Sequence, residues 1–369
     1  MASDGRAHRF SKRISPESFA EWYAEREFAQ NIREGRPYFN GPSPVPEPER
    51  HSPSNLLQCH RKIAYRQANA PEESEPPEGI FWSGQLFEED VIVPYLQDAV
   101  VGEDTYVRNS MWIDDTVTTP NGEDLRFKGS TDPVIVDAES EPLLVTEVKT
   151  KRSVEDLDAP NRHHRAQVHA YMHGLSEKYE RSVDDAVIIY GGRTSMNVRV
   201  FEEPFSPAFF ERVLQWAATH TESRQSEVLP PADPEYGWEC STCSFKHRCG
   251  QSDRPFSDVG HDGFLPLVED YPRERVVEYL QSHDGAQLTP TLARRYPDLI
   301  DQYGVHDWVC RRCSATYAFE EVESNPDRSL ARDDGIAASP LCLACVNEHV
   351  PVPLRGPALD DPALDPSNK

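Results

Sequence analysis

Residues 127–151, FKGSTDPVIVDAESEPLLVTEVKTK, read as two strands joined by a short turn. Leu125-Arg126-Phe127 leads into the β-branched run Thr131-Asp132-Pro133-Val134-Ile135-Val136, and Leu143-Leu144-Val145-Thr146-Glu147-Val148-Lys149 is the second strand. Glu139-Ser140-Glu141-Pro142 supplies the turn chemistry between them. Side chains alternate faces along a strand, so Glu147 and Lys149 point one way and Val148 points into the opposite layer. Burying an acid and an amine on an otherwise apolar strand is costly unless both are used or paired. Asp132, arriving from the neighbouring strand, completes a cluster of two acids and one lysine.

Two carboxylates at one point suit a hard divalent cation, and each destabilises the other without one. A metal there can generate hydroxide from water and neutralise charge on a phosphodiester in line for attack. A lysine beside it can orient the water or stabilise the transition state. The plain alternative is a surface hairpin with a Glu–Lys pair.

Composition sets the bounds. The chain of 369 residues has room for one large domain and a smaller one. It has no long apolar run and no signal-peptide core at its start, which predicts a cytoplasmic protein without a membrane partner. Its formal net charge is -25, and of 38 basic residues 8 are lysine and 30 arginine. An acidic, lysine-poor surface fits a cytoplasm of molar salt, so the composition points to a halophile. In such salt the Debye length is only about 3 Å, so distant acidic charge does not exclude a nucleic-acid partner. The eight cysteines fall in pairs and clusters, which in the cytosol points to metal ligation rather than disulfides.

In chain order, Pro16 to Arg33 reads as a helix with Phe19, Trp22, Tyr23 and Phe28, followed by a proline-rich tether from Pro37 to Pro48. In HSPSNLLQCHRKIAYRQA, Ser52 or Ser54 can cap a helix that carries Cys59 on its apolar stripe. IFWSGQLFEEDVIVPYL reads as a helix with Gly84 near its start, and Glu88, or Glu89 in its place, can aim a third carboxylate at the metal. Residues 98–128 look like meander strands. Asn161 to Gly174 reads as a helix on which Gln167 and Tyr171, four apart, share a face suited to gripping a phosphate or a base edge. His163, His164, His169 and His173 beside them are expected to be structural or phosphate-contacting, because the acid-rich neighbourhood suits Mg²⁺ or Mn²⁺. Ser182 to Val200 reads as a further hairpin, and Ser206 to Ser223 as a helix. Strands flanked by helices make an α/β sandwich. Cys240, Cys243 and Cys249 then form a three-thiol set that needs a fourth ligand, either His247 for zinc or distant Cys59 for an iron–sulfur site.

Asp132-Pro133, a turn, then Glu147-Val148-Lys149 resembles the PD-(D/E)xK nuclease signature. The order Ser-Pro-Ser with a following Cys, Gly-x-x-x-Glu, Gly-Ser-Thr-Asp-Pro, Glu-Val-Lys, Gln-x-x-x-Tyr and Cys-x₂-Cys-x₅-Cys, across about residues 50–252, resembles the RecB-like exonucleases. It is similar above all to the CRISPR-associated iron–sulfur exonuclease family. That resemblance implies a restriction-endonuclease-like mixed sheet flanked by helices, with Asp132 and Glu147 as metal ligands and Lys149 as the catalytic lysine. It implies Gln167 and Tyr171 near the DNA, and Cys59, Cys240, Cys243 and Cys249 holding a [4Fe–4S] cluster that clamps the ends of the domain. One departure stands out. Many family members carry a metal-binding histidine after the glycine of the second motif, whereas Gly84-Gln85-Leu86-Phe87-Glu88 has none and looks like the motif of lambda-type exonucleases, which assigns Glu88.

Beyond the match, Arg273 to Ser282 and Thr289 to Tyr303 read as two amphipathic helices. Cys310-x-x-Cys313 and Cys342-x-x-Cys345, with 28 residues between the pairs, form a zinc-ribbon pattern. The expected organisation is 1–50 helix and tether, 51–252 nuclease domain, 253–305 helical connector, 306–350 zinc ribbon and 351–369 disordered tail. The expected function is a Mg²⁺- or Mn²⁺-dependent DNA exonuclease acting on single strands or ends, in repair or CRISPR adaptation with proteins of those systems as partners. The alternative is a DNA-binding or adaptor protein with a weak nuclease site.

Overall fold

The computed structural model describes residues 13–33, 45–75, 78–195, 197–252, 263–324 and 340–356. The chain divides into two compact units, Met1–Pro44 and Val45–Lys369. The first contributes helix α1, Pro16–Arg33, which matches the expected span; the side chain of Phe28 lies outside the described residues.

The second unit is built on two sheets. Strands β1 (Arg50–His51), β2 (Thr105–Arg108), β3 (Trp112–Thr118), β4 (Asp124–Ser130), β5 (Val134–Asp137), β6 (Pro142–Lys151), β7 (Asp185–Gly192) and β8 (Val198–Pro204) follow in chain order. The central sheet has the order β2-β5-β6-β7-β8, with β6 and β7 parallel and the other neighbours antiparallel. A smaller sheet has the order β1-β4-β3, in which β1 runs parallel to β4. The mixed central sheet flanked by helices is the restriction-endonuclease-like α/β architecture.

The expected meander therefore splits. β3 and β4 form their own sheet, while β2 joins the central one as an edge against β5. The chain crosses from β4 to β5 through Thr131-Asp132-Pro133, where proline offers no N–H to a ladder. Asp132 thus sits in the crossing between two sheets, not within a strand of the hairpin.

The helices follow from where apolar faces are available. α2 (His60–Gln67) begins with Cys59 at its N-cap, seven residues later than a Ser52 cap and five later than a Ser54 cap would start it. Ser52 instead precedes a single 3₁₀ turn, Pro53–Asn55, and its side chain caps nothing. α3 (Glu78–Phe87) continues through widened π-helical turns at Glu88–Ile92 and Leu96–Val100. Ile92 and Leu96 pack with Val148 and Ile189 on one face of the central sheet. The opposite face, with Val145, Ala186 and Ile188, packs on α4 (Arg162–Tyr179) and α5 (Pro207–Gln225) through Val168, Met172, Leu175, Phe209 and Phe210. Val148 indeed faces the layer opposite to its neighbours Glu147 and Lys149.

After residue 263 a second apolar cluster forms. α6 (Arg273–Ser282) has the expected bounds. The predicted helix from Thr289 to Tyr303 is broken at Pro297 into α7 (Pro290–Arg295), a 3₁₀ turn and α8 (Ile300–Tyr303), because proline cannot continue the helical ladder. Tyr271, Val276, Leu280, Leu288 and Leu292 share one core with Trp308, Cys310, Phe319, Cys342, Cys345 and Leu354. Connector and cysteine-rich segment are thus packed on each other. The tail is not unstructured at its start: Leu354 is buried, and Pro353 and Arg355 bridge to Leu341 and Val309. Residues 357–369 lie outside those described.

One close approach sets how α3 lies. Phe87 packs its ring directly over Gly191 on β7, and a Cβ there would overlap that ring. Gly191→Ala should destabilise the protein by about 1–3 kcal/mol through overpacking, read as a lower urea midpoint. Phe87→Leu in the same chain should recover part of that loss, a non-additivity expected of touching residues.

Candidate active site and cysteine centres

The bend at Pro133 leaves the end of β6 without a backbone partner on that side, and Asp132 fills the gap. Thr146 N–H donates to the Pro133 carbonyl at 3.1 Å, and the next inward-facing amide, Val148 N–H, donates to Asp132 Oδ2 at 2.8 Å. The crossing itself is pinned. Thr131 and Met111 exchange bonds, with Thr131 N–H on the Met111 carbonyl and Met111 N–H on Thr131 Oγ1, each 2.9 Å. Tyr171 donates its hydroxyl to the Ser130 carbonyl at 2.6 Å, and Gln167 Nε2 donates to that hydroxyl at 3.2 Å.

This brings Asp132, Glu147 and Lys149 together. Lys149 Nζ lies against Glu147 Oε1 and 3.5 Å from Asp132 Oδ2. The Glu147 side chain is 0% exposed while that of Lys149 is 29% exposed, so the acid is interior and the amine reaches the opening. Glu147 Oε2 is buried with no hydrogen-bond partner, and Oε1 meets only the lysine. Burial first, then the Asp132 and Glu88 charges, push the Glu147 carboxyl up to about 8, against the pull of Lys149. For Lys149, burial disfavours the charge, but Glu147 and Asp132 outweigh it and hold the ammonium above its ordinary range. Burial and the same two carboxylates raise the Tyr171 phenol as well.

An orphaned, buried carboxylate oxygen beside a second carboxylate fits a divalent cation. The donor set is oxygen only, which suits Mg²⁺ or Mn²⁺. Glu88 sits in the first π-helical turn of the α3 segment, near enough for its charge to act on Glu147, whereas Glu89 accepts from Gln85 Nε2 at 3.0 Å. Of the two acids that the sequence left to helix phase, Glu88 is the one whose charge acts on Glu147.

Gln167 and Tyr171 do share a face, but it is turned inward: they are 6% and 3% exposed. They hold the crossing that carries Asp132 and present no surface to a strand. Three of the four histidines of α4 are occupied within the fold, while His163 Nδ1 is buried without a hydrogen-bond partner. His164 Nδ1 pairs with the Tyr190 hydroxyl at 2.7 Å, His169 Nε2 accepts from Ser206 N–H at 3.0 Å, and His173 meets Asp115 at 2.9 Å.

Cys59, Cys240, Cys243 and Cys249 line one pocket, together with Lys62, Tyr65, Glu239 and Phe245. His247, the other candidate for fourth ligand, is not in its wall; its backbone N–H donates to Glu73. Burial pushes the Cys59 and Cys243 thiols up and Cys249 up to about 11. The four thiols thus share one pocket, without the close convergence of sulfurs seen in the second quartet. Glu73, one acid of the stretch PEESEPPE at residues 71–78, carries no signal in the sequence. Its carboxylate accepts from the His247 and Arg248 amides at 2.9 and 2.8 Å and so fixes the cysteine loop. Nothing in the run distinguishes it from its acidic neighbours.

Cys310, Cys313, Cys342 and Cys345 converge differently, with all four sulfurs within 4.8 Å of one another. The short strands β9 (Trp308–Val309) and β10 (Thr316–Tyr317) flank the first pair, and Cys342 N-caps α10 (Leu343–Asn347). The Cys310–Cys345 and Cys313–Cys342 sulfurs lie 3.6 Å apart. A tetrahedral four-thiolate zinc with bonds of about 2.3 Å has edges of about 3.8 Å, so a single ion fits this centre.

A mixed sheet that delivers an Asp at a crossing, and a Glu and a Lys two residues apart on the adjoining strand, defines a nuclease-type fold and site. Residues 37–250 match the family model of the PD-(D/E)XK nuclease superfamily, and the chain belongs to that superfamily. No curated protein matches the chain. Among solved structures it is similar to SSO0001, at 17% identity and a TM-score of 0.40, over 62% of this chain and 95% of that one. It is also similar to an alkaline exonuclease, LHK-Exo, from Laribacter hongkongensis, at 13% identity and a TM-score of 0.33, over 48% and 89% of the two chains. LHK-Exo in complex with dAMP gives 13%, 0.32, 47% and 91%.

The raised carboxyl makes a pH prediction. With its pKa at about 8, Glu147 carries a proton at pH 7 and must lose it to accept a cation. Mn²⁺ binding should therefore release close to one proton at pH 7 and almost none at pH 9. Affinity should rise with pH up to about 8 and then level. Calorimetry in buffers of differing ionisation enthalpy reads this directly.

Proposed function

We propose that this protein is a metal-dependent DNA exonuclease, and the observation that carries the reading is the buried Glu147 carboxylate with its unpartnered Oε2 beside Asp132. Asp132 and Glu147, with Glu88 as third acid, would hold Mg²⁺ or Mn²⁺. A divalent cation bound there supplies Lewis acidity for water and for the scissile phosphate. Lys149, charged and reaching the opening, orients the attacking water and balances charge developing on the phosphate. Asp132 is held in register by the Val148 amide. Gln167 and Tyr171 act through the Ser130 carbonyl as positioning residues, in place of the direct DNA contact expected from sequence.

Cys59, Cys240, Cys243 and Cys249 are assigned to a [4Fe–4S] cluster tying α2 to the loop after α5, and the second quartet to structural Zn²⁺ in a ribbon. The order of motifs supports a RecB-like enzyme of the CRISPR-associated iron–sulfur type. Its substrate would be single-stranded DNA or DNA ends, and its setting CRISPR adaptation or repair in an acidic, halophilic cytoplasm. Residues 51–252 would form the nuclease domain, with the connector and ribbon as one C-terminal module offering a surface to partner proteins.

End-labelled single- and double-stranded DNA, incubated with anaerobically purified protein in high KCl, should be degraded with Mn²⁺ or Mg²⁺ and left intact with EDTA. Lys149→Ala should lower the rate by two or more orders of magnitude while DNA binding persists. No degradation by folded, metal-replete protein would favour the adaptor reading. Cys59→Ala should lose iron and brown colour while zinc content stays at one ion per chain; unchanged iron would remove Cys59 from the cluster.

A further inference from the structure

Against 63 acidic residues the chain sets only 8 lysines, so a half-buried lysine that finds no carboxylate needs a reason. Lys128 pairs with Asp114 at 3.4 Å, Lys149 pairs with Glu147 and Asp132, and Lys178 donates to the Trp112 carbonyl at 2.6 Å. Lys62, Lys151 and Lys246 are half-buried without such a pair, and the first two are held by amide groups. Lys151 Nζ donates to the Asn161 amide oxygen at 3.2 Å and lies 5.2 Å from the Tyr190 ring centre. Lys62 Nζ donates to the Gln58 amide oxygen at 3.2 Å. Neither forms an ion pair among the described residues: Lys151 is held by an amide oxygen alone, and Lys62 by an amide oxygen at the edge of the pocket that carries Glu239 and the thiols.

Their positions are ordered. Glu147, Lys149 and Lys151 are alternate residues of β6 and so lie on one face, about 6.6 Å apart from one to the next. Asn161, which holds Lys151, is the N-cap of α4, an 18-residue helix whose first turns carry His163 and His164. The first turn of α4 abuts the loop that leads to Cys240: Arg162 N–H donates to the Tyr236 hydroxyl at 3.0 Å, and the His163 and Tyr236 ring centres lie 6.0 Å apart. Lys62 lines the cysteine pocket together with Glu239, Cys59, Cys240 and Cys243. Arg162, at the start of α4, is itself paired with Glu235 at 2.5 Å.

We propose that Lys151 and Lys62 are backbone-phosphate contacts that lead the substrate strand from the Asp132–Glu147–Lys149 site, across the first turn of α4, toward the cysteine pocket. The inference rests on the nuclease reading above and adds the direction of the strand to it. Amide partners hold each ammonium in place without neutralising it, and the positive end of α4 adds to the field. In high salt distant acidic charge is screened, so local cationic contacts of this kind decide where a strand is held. The cysteine pocket then forms one wall of the DNA path.

The test uses the full-length protein carrying Asp132→Asn, so that DNA is held uncut, with a labelled single-stranded oligonucleotide in EDTA across a KCl series. On single strands each neutralised phosphate contributes a slope of about −0.7 to log K against log salt. Lys151→Ala and Lys62→Ala should each reduce the slope by about that amount and weaken binding several-fold. Lys151→Arg should restore both, and Lys178→Ala should change neither. Iron, zinc and thermal midpoint equal to the parent establish that each variant is folded; Lys151→Ala, remote from the thiols, is the arm to read if Lys62→Ala loses iron. Parental slopes in the alanine variants, while the unmutated enzyme degrades DNA, would overturn the strip and leave the nuclease standing. Weaker inhibition by inorganic phosphate with an unchanged DNA slope would also overturn it, as a mere anion site. An unmutated protein that neither binds nor cuts DNA would take the nuclease reading down as well.

Discussion

The structure depends on one costly arrangement, a carboxylate at 0% exposure whose nearest neighbours are a lysine and another acid. Taking charges out of water costs several kcal/mol per ion even after relaxation, and one Lys149 cannot satisfy both Glu147 and Asp132. The fold accepts this cost because the backbone is fixed around it. Pro133 ends one ladder, the Asp132 carboxylate takes the Val148 amide that the ladder leaves, and Tyr171 holds the Ser130 carbonyl just upstream. Each of these bonds serves the placement of acids that would otherwise repel each other apart.

Around that point the rest of the second unit is arranged in layers. α4 supplies the tyrosine that holds the crossing and the N-terminus that faces the end of β6. The α3 segment, pressed onto Gly191 through Phe87, brings Glu88 from the opposite face of the sheet. A π-helical turn, of a kind common at functional sites, begins at Glu88 and runs to Ile92. The cysteine pocket joins α2, near the start of the unit, to the loop after α5. The second quartet lies inside the C-terminal core and holds its two knuckles against α6 and α7.

Much of this was legible in the sequence because it rests on local chemistry. Alternation along LLVTEVK put Glu147 and Lys149 on one face, and apolar periodicity gave α5 and α6 nearly to their ends and α4 to within five residues of its C-terminus. The pairs Cys310–Cys313 and Cys342–Cys345 carried their own spacing. What was not legible depends on non-local pairing. Nothing in residues 98–128 tells that β2 leaves its neighbours for the central sheet, since strand partners are chosen by the whole core. Gln167 and Tyr171 share a helical face, as expected, but the sequence cannot say whether that face looks outward or in. Cys59 reads as part of an apolar stripe until Leu57, at φ +55°, turns the chain and starts the helix after it. Glu73 is hidden among identical neighbours.

Diffraction from Mn²⁺-soaked crystals, at a wavelength where manganese scatters anomalously, tests the central claim most directly. The account predicts one manganese peak between the Asp132 and Glu147 carboxylates, with Lys149 displaced from Glu147 Oε1 and the peak lost in Asp132→Asn. A Glu147–Lys149 pair that persists in saturating Mn²⁺, with no peak beside it, would contradict it.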